Sequence, residues 1–361
     1  RGRGLALGGV LALQLLAGSA DMVVMTALLC GLRLALALRG DAGSSGARAS
    51  LMATLAVGAA LGAALAAVQW LPTLALVGAT ARVRLGAANL FWSLHPLSLL
   101  DFLASAAVAG PDLAEDIGSV VFDSREPFLP YLYLGASTVP LVALGLWRGA
   151  GPGRLLAAAG LPLFLVLALG RHTPLYPLLS ELPPFSMLRY PVKYVGPLAL
   201  LWAIAAGLGL DAACRRWPAG AQRRVRWVVA ACGLLAGLGA ALAGSLASGW
   251  PGWLAPGAVQ QPVVATLVHS AVALAVATVL LALLASRSGG SALPAAMACL
   301  ALADLTPVAR EALFLAPRAL AAYRPAWVAR QPPGTRFYSR PPMRAPKELL
   351  QPPPSGWSRN W

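Results

Sequence analysis

Charge is scarce in this chain. Asp, Glu, Lys and Arg make up 11% of its 361 residues, against roughly 25% in a soluble domain. Together with 58% hydrophobic residues and a mean hydropathy of +0.70, that shortage excludes an ordinary water-soluble protein. Alternation of apolar and polar residues is also missing, which excludes a transmembrane β-barrel. There is no G-x-x-x-x-G-K-[ST] loop and no G-x-S-x-G elbow, so neither ATP-driven chemistry nor an α/β-hydrolase nucleophile has support. No D-x-D or H-E-x-x-H pattern occurs, and no repeat of about 20 to 50 residues suggests a solenoid. Cysteine is limited to Cys30, Cys214, Cys232 and Cys299. None has metal-ligand spacing, and small hydrophobic packing is their default role.

What the chain does have is a succession of apolar runs of about 15 to 25 residues, bounded by Arg, Gly or Pro. A helix needs about 20 apolar residues to cross the hydrocarbon. Lipid offers no partner for backbone N–H and C=O groups, so such runs must be helical. Nine segments qualify: Leu5–Ala17, Met22–Leu38, Leu51–Leu71, Tyr131–Trp147, Leu155–Leu169, Val195–Leu210, Trp227–Leu246, Val263–Leu284 and Leu293–Leu305. The expected fold is all-α, a polytopic transmembrane bundle of about eight or nine spans. The transmembrane domain covers 1–305, with irregular outer loops at about 77–130 and 171–193. A Pro- and Arg-rich tail at 306–361 is either a linker or the start of a further extracytoplasmic domain. The chain opens Arg1-Gly2-Arg3, without Met and with its first apolar run already under way. It is therefore expected to be an N-terminally truncated fragment.

Orientation follows from short basic loops, which prefer the cytoplasm. Counting spans places Arg39–Ser50, Arg148–Arg154, Cys214–Arg226 and Ala285–Ser291 on one side, the cytoplasmic one. The outer side then receives the loop with Asp101, Asp112, Glu115, Asp116, Asp123 and Glu126, the segment Arg171–Lys193, and the tail. The net charge of +15 is split among loops rather than gathered on one folded face. It favours anionic lipid headgroups over nucleic acid.

Polar groups at membrane depth or at helix mouths are the usual candidates for function. Gln14 and Asp21 flank a break at residues 17–20, which is either a helix–turn–helix corner at the outer face or a place where Asp21 merely caps the next helix. Gln69, which either faces a substrate or simply ends a span, lies beside Trp70, a belt residue, and Pro72, which is expected to stop or kink the helix. His95 lies in the outer loop, whose acids are either a solvated surface or a general base or divalent-cation ligands. His172 opens the densest segment, Arg171–Lys193. There Arg189, Tyr190 and Lys193 sit just above a helix start, a layout that suits either an anionic phosphate headgroup or simple interfacial anchoring. His269 lies inside a span, where bonding to a neighbouring helix is the ordinary role and proton transfer the other. No metal ligand set is evident.

Several segments resemble one family in the same order along the chain. A-L-Q-L-L-A-G-S-A-D (12–21) resembles the Gln-Leu-Leu-Ala-Gly-His-Pro-Gln corner of the YfhO family, bacterial membrane proteins related to the GT-C glycosyltransferases. A-V-Q-W-L-P-T-L (67–74) resembles its Gln-x-x-Pro helix end, and T-P-L-Y-P-L-L-S-E-L-P-P-F-S-M-L-R-Y-P-V-K (173–193) its most recognisable loop. G-L-G-L-D (207–211), A-D-L-T-P (303–307) and R-F-Y (336–338) resemble later landmarks. Ser19-Ala20-Asp21 departs from the family's His-Pro-Gln. The resemblance implies a GT-C-like transferase in the bacterial inner membrane. It would move sugar from a polyprenyl-phosphate donor to an envelope glycan on the outer side. Arg189, Tyr190 and Lys193 would hold the lipid phosphate, with a divalent metal as an alternative source of positive charge. The catalytic acid would precede Arg1. The competing classes are a transporter or lipid flippase, which requires polar residues facing one another across mid-membrane helices, and a non-catalytic envelope scaffold.

Overall fold

Apolar helices account for every regular element of the computed structural model among its described residues. These are 2–39, 45–78, 90–105, 121, 128–129, 131–182, 185–215, 219–248, 257–286 and 292–312. The helices are α1 (Gly2–Leu16), α2 (Ala20–Arg39), α3 (Ser45–Leu65), α4 (Ala67–Gly78), α5 (Val139–Arg148), α6 (Pro152–Leu169), α7 (Leu175–Leu179), α8 (Val195–Ala213), α9 (Ala219–Ala247), α10 (Gly257–Ser286) and α11 (Ala292–Ala312). Short 3-10 turns join them. The chain divides into two units, Arg1–Ala312 and Leu313–Trp361. The second lies outside the described residues, as do Asp112, Glu115, Asp116, Asp123 and Glu126 of the expected acidic loop.

Among the described residues, seven helices are long and apolar enough to cross a membrane: α2, α3, α6, α8, α9, α10 and α11. This is an all-α bundle with the composition of an integral membrane protein. Leu234, Leu238, Val272, Val279 and Leu302 are exposed on its flanks, where a soluble protein would place polar residues and a lipid-facing one needs none. One expected span falls short, and the first run is as short as its sequence implies. The first apolar run forms the 15-residue α1. Tyr131–Trp147 begins as extended chain and a 3-10 turn, leaving only the 10 residues of α5 as α-helix. Pro140 sits in the first turn of α5, where its missing N–H costs nothing.

Pro72 also acts differently from expectation. It lies inside α4, and the break comes earlier, at Ala66. A proline ring collides with the carbonyl four residues before it, so the disturbance falls upstream. At this break Trp70 Nε1 donates to Ala63 O at 2.7 Å, which satisfies a carbonyl of the last turn of α3. At the other end of the chain, α11 runs through Pro307 to Ala312.

Small residues set the closest helix crossings. A Cβ on Gly145 of α5 would meet Ala205 O at 1.9 Å, and one on Gly209 of α8 would meet Leu141 O at 1.8 Å. The α1–α3 pair is built alike, with Gly8 against Leu61 and Gly58 against Leu7. Such contacts allow backbones to approach where lipid supplies no hydrophobic drive between helices. The main core packs Phe164, Leu167, Tyr176, Tyr194, Leu198 and Leu201 between α6, α7 and α8. Cys232 is buried, Cys30 half-buried, and Cys214 and Cys299 exposed; all four are free thiols. The expectation of burial therefore fails for Cys214, at the end of α8, and for Cys299, which α11 turns outward from the bundle.

Candidate functional site

Four chain segments meet where α1 ends, α2 begins, α6 ends and α8 begins. The 3-10 turn Pro191–Tyr194 precedes α8 and presents Lys193. Its ammonium pairs with the Asp21 carboxylate in the first turn of α2. Both side chains are 25% exposed, so the pair is partly shielded from water. Asp21 thus does more than cap its helix. Nearby, Gln14 and Thr26 exchange side-chain hydrogen bonds between α1 and α2 at 3.1 and 3.2 Å.

Three aromatic rings flank the lysine. Trp92 and Tyr190 meet edge to face with centroids 4.5 Å apart, and Phe128 lies 5.5 Å from Trp92 and 5.2 Å from Tyr190. Lys193 Nζ is 5.1 Å from the Tyr190 centroid and 5.7 Å from that of Phe128, within cation–π range. Trp92 and Tyr190 are the two non-glycine residues with positive φ among the described residues, at 50° and 68°. Bulky side chains rarely adopt that region, and such strain persists only where surrounding structure holds it. The holding contacts are backbone ones. Val192 N donates to Trp92 O at 3.0 Å, and Leu94 N to Ala168 O at 2.9 Å. Arg171 N donates to Ser93 Oγ at 3.0 Å. Gly170, at φ 50°, lets the two segments close, because a Cβ there would meet Ser93 Oγ at 2.2 Å.

His95 and His172, expected separately from the sequence, are brought together edge to face, with ring centroids 5.0 Å apart. His95 Nδ1 accepts from Leu97 N at 3.2 Å and caps the 3-10 turn Pro96–Phe102. Arg189 is half-buried in the same connection, and Tyr190 and the turn that starts at Pro191 separate it from Lys193. Gln69 is exposed on α4, and no contact recorded for it joins it to this cluster. A cavity of about 20 Å³ lies beside Trp92, His95 and Phe128, room for about one water. Among the described residues no group of three or more His, Cys, Asp or Glu is placed to hold a metal ion. Beneath the site Tyr176 is fully buried, and burial chiefly, helped by the Asp21 charge, pushes its phenol up to about 12.

A second polar cluster escaped the sequence reading. Asp304 of α11 is fully buried and accepts four hydrogen bonds. Tyr133 Oη donates to its Oδ1 at 2.6 Å, and His269 Nε2 of α10 lies 2.8 Å from the same oxygen. Ser137 N and Oγ donate to Oδ2 at 3.0 and 2.7 Å. Trp202 of α8 extends the network by donating to Thr138 Oγ1 at 2.8 Å. The signal was available: Asp304 is the one acid within the nine apolar segments, and intramembrane carboxylates are rarely idle. His269, as its ordinary reading held, bonds a neighbouring helix.

No protein-family model, curated protein or solved structure matches this chain.

Proposed function

We propose that this integral membrane protein is a GT-C-like glycosyltransferase, moving sugar from a polyprenyl-phosphate donor to an envelope glycan at the outer face of a bacterial inner membrane. The observation that carries the reading is the Asp21–Lys193 pair seated among Trp92, Phe128 and Tyr190 at a mouth of the bundle. A cation held at that depth beside an aromatic shelf suits a lipid phosphate, whose charge stays at the surface while its chain lies among the helices. The resemblance of residues 173–193 to the YfhO-family loop supports it. So does the concentration of backbone strain at Trp92 and Tyr190.

In such a transfer the acceptor hydroxyl oxygen attacks the anomeric carbon and forms the new glycosidic bond. The carbon–oxygen bond to phosphate breaks, and its electron pair leaves with the lipid phosphate. A base takes the acceptor proton, and no residue of this chain is assigned that part. Lys193 has three donors, one directed to Asp21, and the others serve the departing phosphate together with Arg189. Tyr190 fixes the turn between the two cations. Asp21 is a positioning residue that holds the ammonium at the mouth.

The test is label transfer from polyprenyl-phosphate sugars to envelope material, using the full chain in membranes beside an Arg189→Ala/Lys193→Ala variant. Transfer that falls at least about 100-fold in the variant, with expression held, supports the reading. Absence of transfer across several sugars and acceptors contradicts it.

One observation favours a different class. Asp304, His269 and Tyr133 join three elements inside the bundle, the arrangement a proton- or ion-coupled carrier requires. Proton uptake by reconstituted protein that disappears in Asp304→Asn would favour this second reading.

A further inference from the structure

The end of the bundle opposite Lys193 holds a basic cleft. The same helices reach both ends: α1, α2 and α6 carry Gln14, Asp21 and Ala168 toward the lysine, and Arg3, Arg33 and Arg154 toward the cleft. Arg48, in the first turn of α3, completes the set. α6, with 18 residues, is about 27 Å long, close to the about 30 Å of bilayer hydrocarbon. The cleft is about 750 Å³, within the range of roughly 300–1,000 Å³ typical of small-molecule sites.

Its lining has two characters. Four guanidiniums, from α1, α2, α3 and α6, surround the opening, and among the described residues no Asp or Glu lines it. Asp41, the one acid in the sequence between Arg33 and Arg48, falls in the connection 40–44, outside the described residues. Leu36 and Leu51 line the apolar part, on helices that span the membrane. Arg154 is oriented by Nε, which donates to Leu146 O at 2.6 Å, so its fork is set by the backbone of α5. Arg33 and Arg48 are half-buried, which strengthens their field relative to fully solvated charges.

Arg3, Arg33 and Arg154 alone already outnumber a single monoanion, and the leucine wall would be out of place around a freely soluble one. Guanidiniums grip phosphate through paired hydrogen bonds. Basic pockets between transmembrane helices at the cytoplasmic surface fit multiply phosphorylated lipid headgroups. We infer that this cleft binds the headgroup of an anionic phospholipid carrying two or more phosphates, with its acyl chains descending along Leu36 and Leu51. The site is independent of the transferase reading and would serve equally in a carrier.

The experiment uses the full chain in nanodiscs of zwitterionic lipid doped with cardiolipin, with phosphatidylglycerol, or with neither, and counts retained lipid by native mass spectrometry. One diphosphate lipid per chain is expected, held at least about tenfold better than the monophosphate lipid. Neutralising Arg33 and Arg48 together (Arg33→Gln/Arg48→Gln) should weaken retention about twentyfold, at about fivefold for each arginine. Arg3→Gln, on an exposed side chain, is the second variant if the first does not fold, and should weaken it about fivefold. Arg215→Gln removes one charge from the exposed Asp211–Arg215 pair at the end of α8 and should leave retention unchanged. Equal losses in Arg215→Gln and the cleft variants would overturn the site in favour of general surface attraction. Unchanged retention in the cleft variants would overturn it outright. Displacement of cardiolipin by micromolar inorganic diphosphate would overturn the lipid assignment, leaving a free phosphate compound as the occupant.

Discussion

Lys193 and Asp21 are 172 residues apart in sequence, yet their side chains form one ion pair that ties the start of α8 to the start of α2. The contact fixes which helix ends share a mouth. Because the two groups are partly buried, breaking the pair strands a charge in a poorly solvated place. Lys193→Met and Asp21→Asn should each destabilise the bundle by about 1 to 2 kcal/mol, and the double variant by clearly less than their sum. Thermal unfolding in detergent, read as a double-mutant cycle, checks this. Strict additivity would show the pair to be incidental.

Tyr190 allows the backbone and the ring to be separated. Its φ of 68° is strained for any residue with a Cβ and relaxed for glycine. Tyr190→Gly and Tyr190→Ala both lose the ring, but only the alanine keeps the strain. The glycine variant should therefore be the more stable of the two by about 1 kcal/mol. In an ordinary helix or strand the order would be reversed. Equal midpoints in detergent melts would count against a strained turn.

Asp304 gathers four donors around one carboxylate. Asp304→Leu would leave them without an acceptor in a buried site, and a loss of about 3 kcal/mol or more is expected. Tyr133→Phe removes one donor and should cost about 1 kcal/mol. A Leu variant as stable as the parent would mean that the carboxylate contributes nothing to the fold.

Tyr176 predicts an alkaline limit. Its phenol is raised from an ordinary value of 10.0 to about 12. Folding thus favours the neutral form, and the stabilisation is fully present below the unfolded value. It is lost as pH rises from about 10 through about 12, because the unfolded phenol ionises first. Tyrosinate absorbance and unfolding midpoints across that window, compared with Tyr176→Phe, give the check. Removing the phenol should flatten part of the alkaline decline.

Much of this fold was legible because lipid imposes a single rule: a long apolar run must be a helix. Six of the nine expected segments obey it as unbroken helix over their whole length, and Leu51–Leu71 is helical with a break at Ala66. The run from Tyr131 does not, since Gly135 and the Tyr133–Asp304 contact hold its first residues extended. Pro72 was misread because a proline's effect lies one turn upstream of the residue itself. At the site, composition singled out Asp21, His95, His172, Tyr190 and Lys193, and the fold brings His95 to His172 and Asp21 to Lys193. Their pairings were invisible, since nothing in a linear pattern links residues across four helices. Gln69 was selected by the same reasoning and stays exposed on α4. Asp304 lies within A-D-L-T-P (303–307), which reads as a helix-end landmark and hides a buried charge.

In the proposed orientation the Lys193 mouth faces outward and the arginine cleft faces the cytoplasm. The direct measurement is labelling of intact cells by a membrane-impermeant maleimide, in a background with the four native cysteines replaced by alanine. Glu181→Cys should label in intact cells, and Ala150→Cys only after the membrane is opened. Labelling of Ala150→Cys in intact cells, with Glu181→Cys protected, would reverse the orientation and contradict the assignment of both sites.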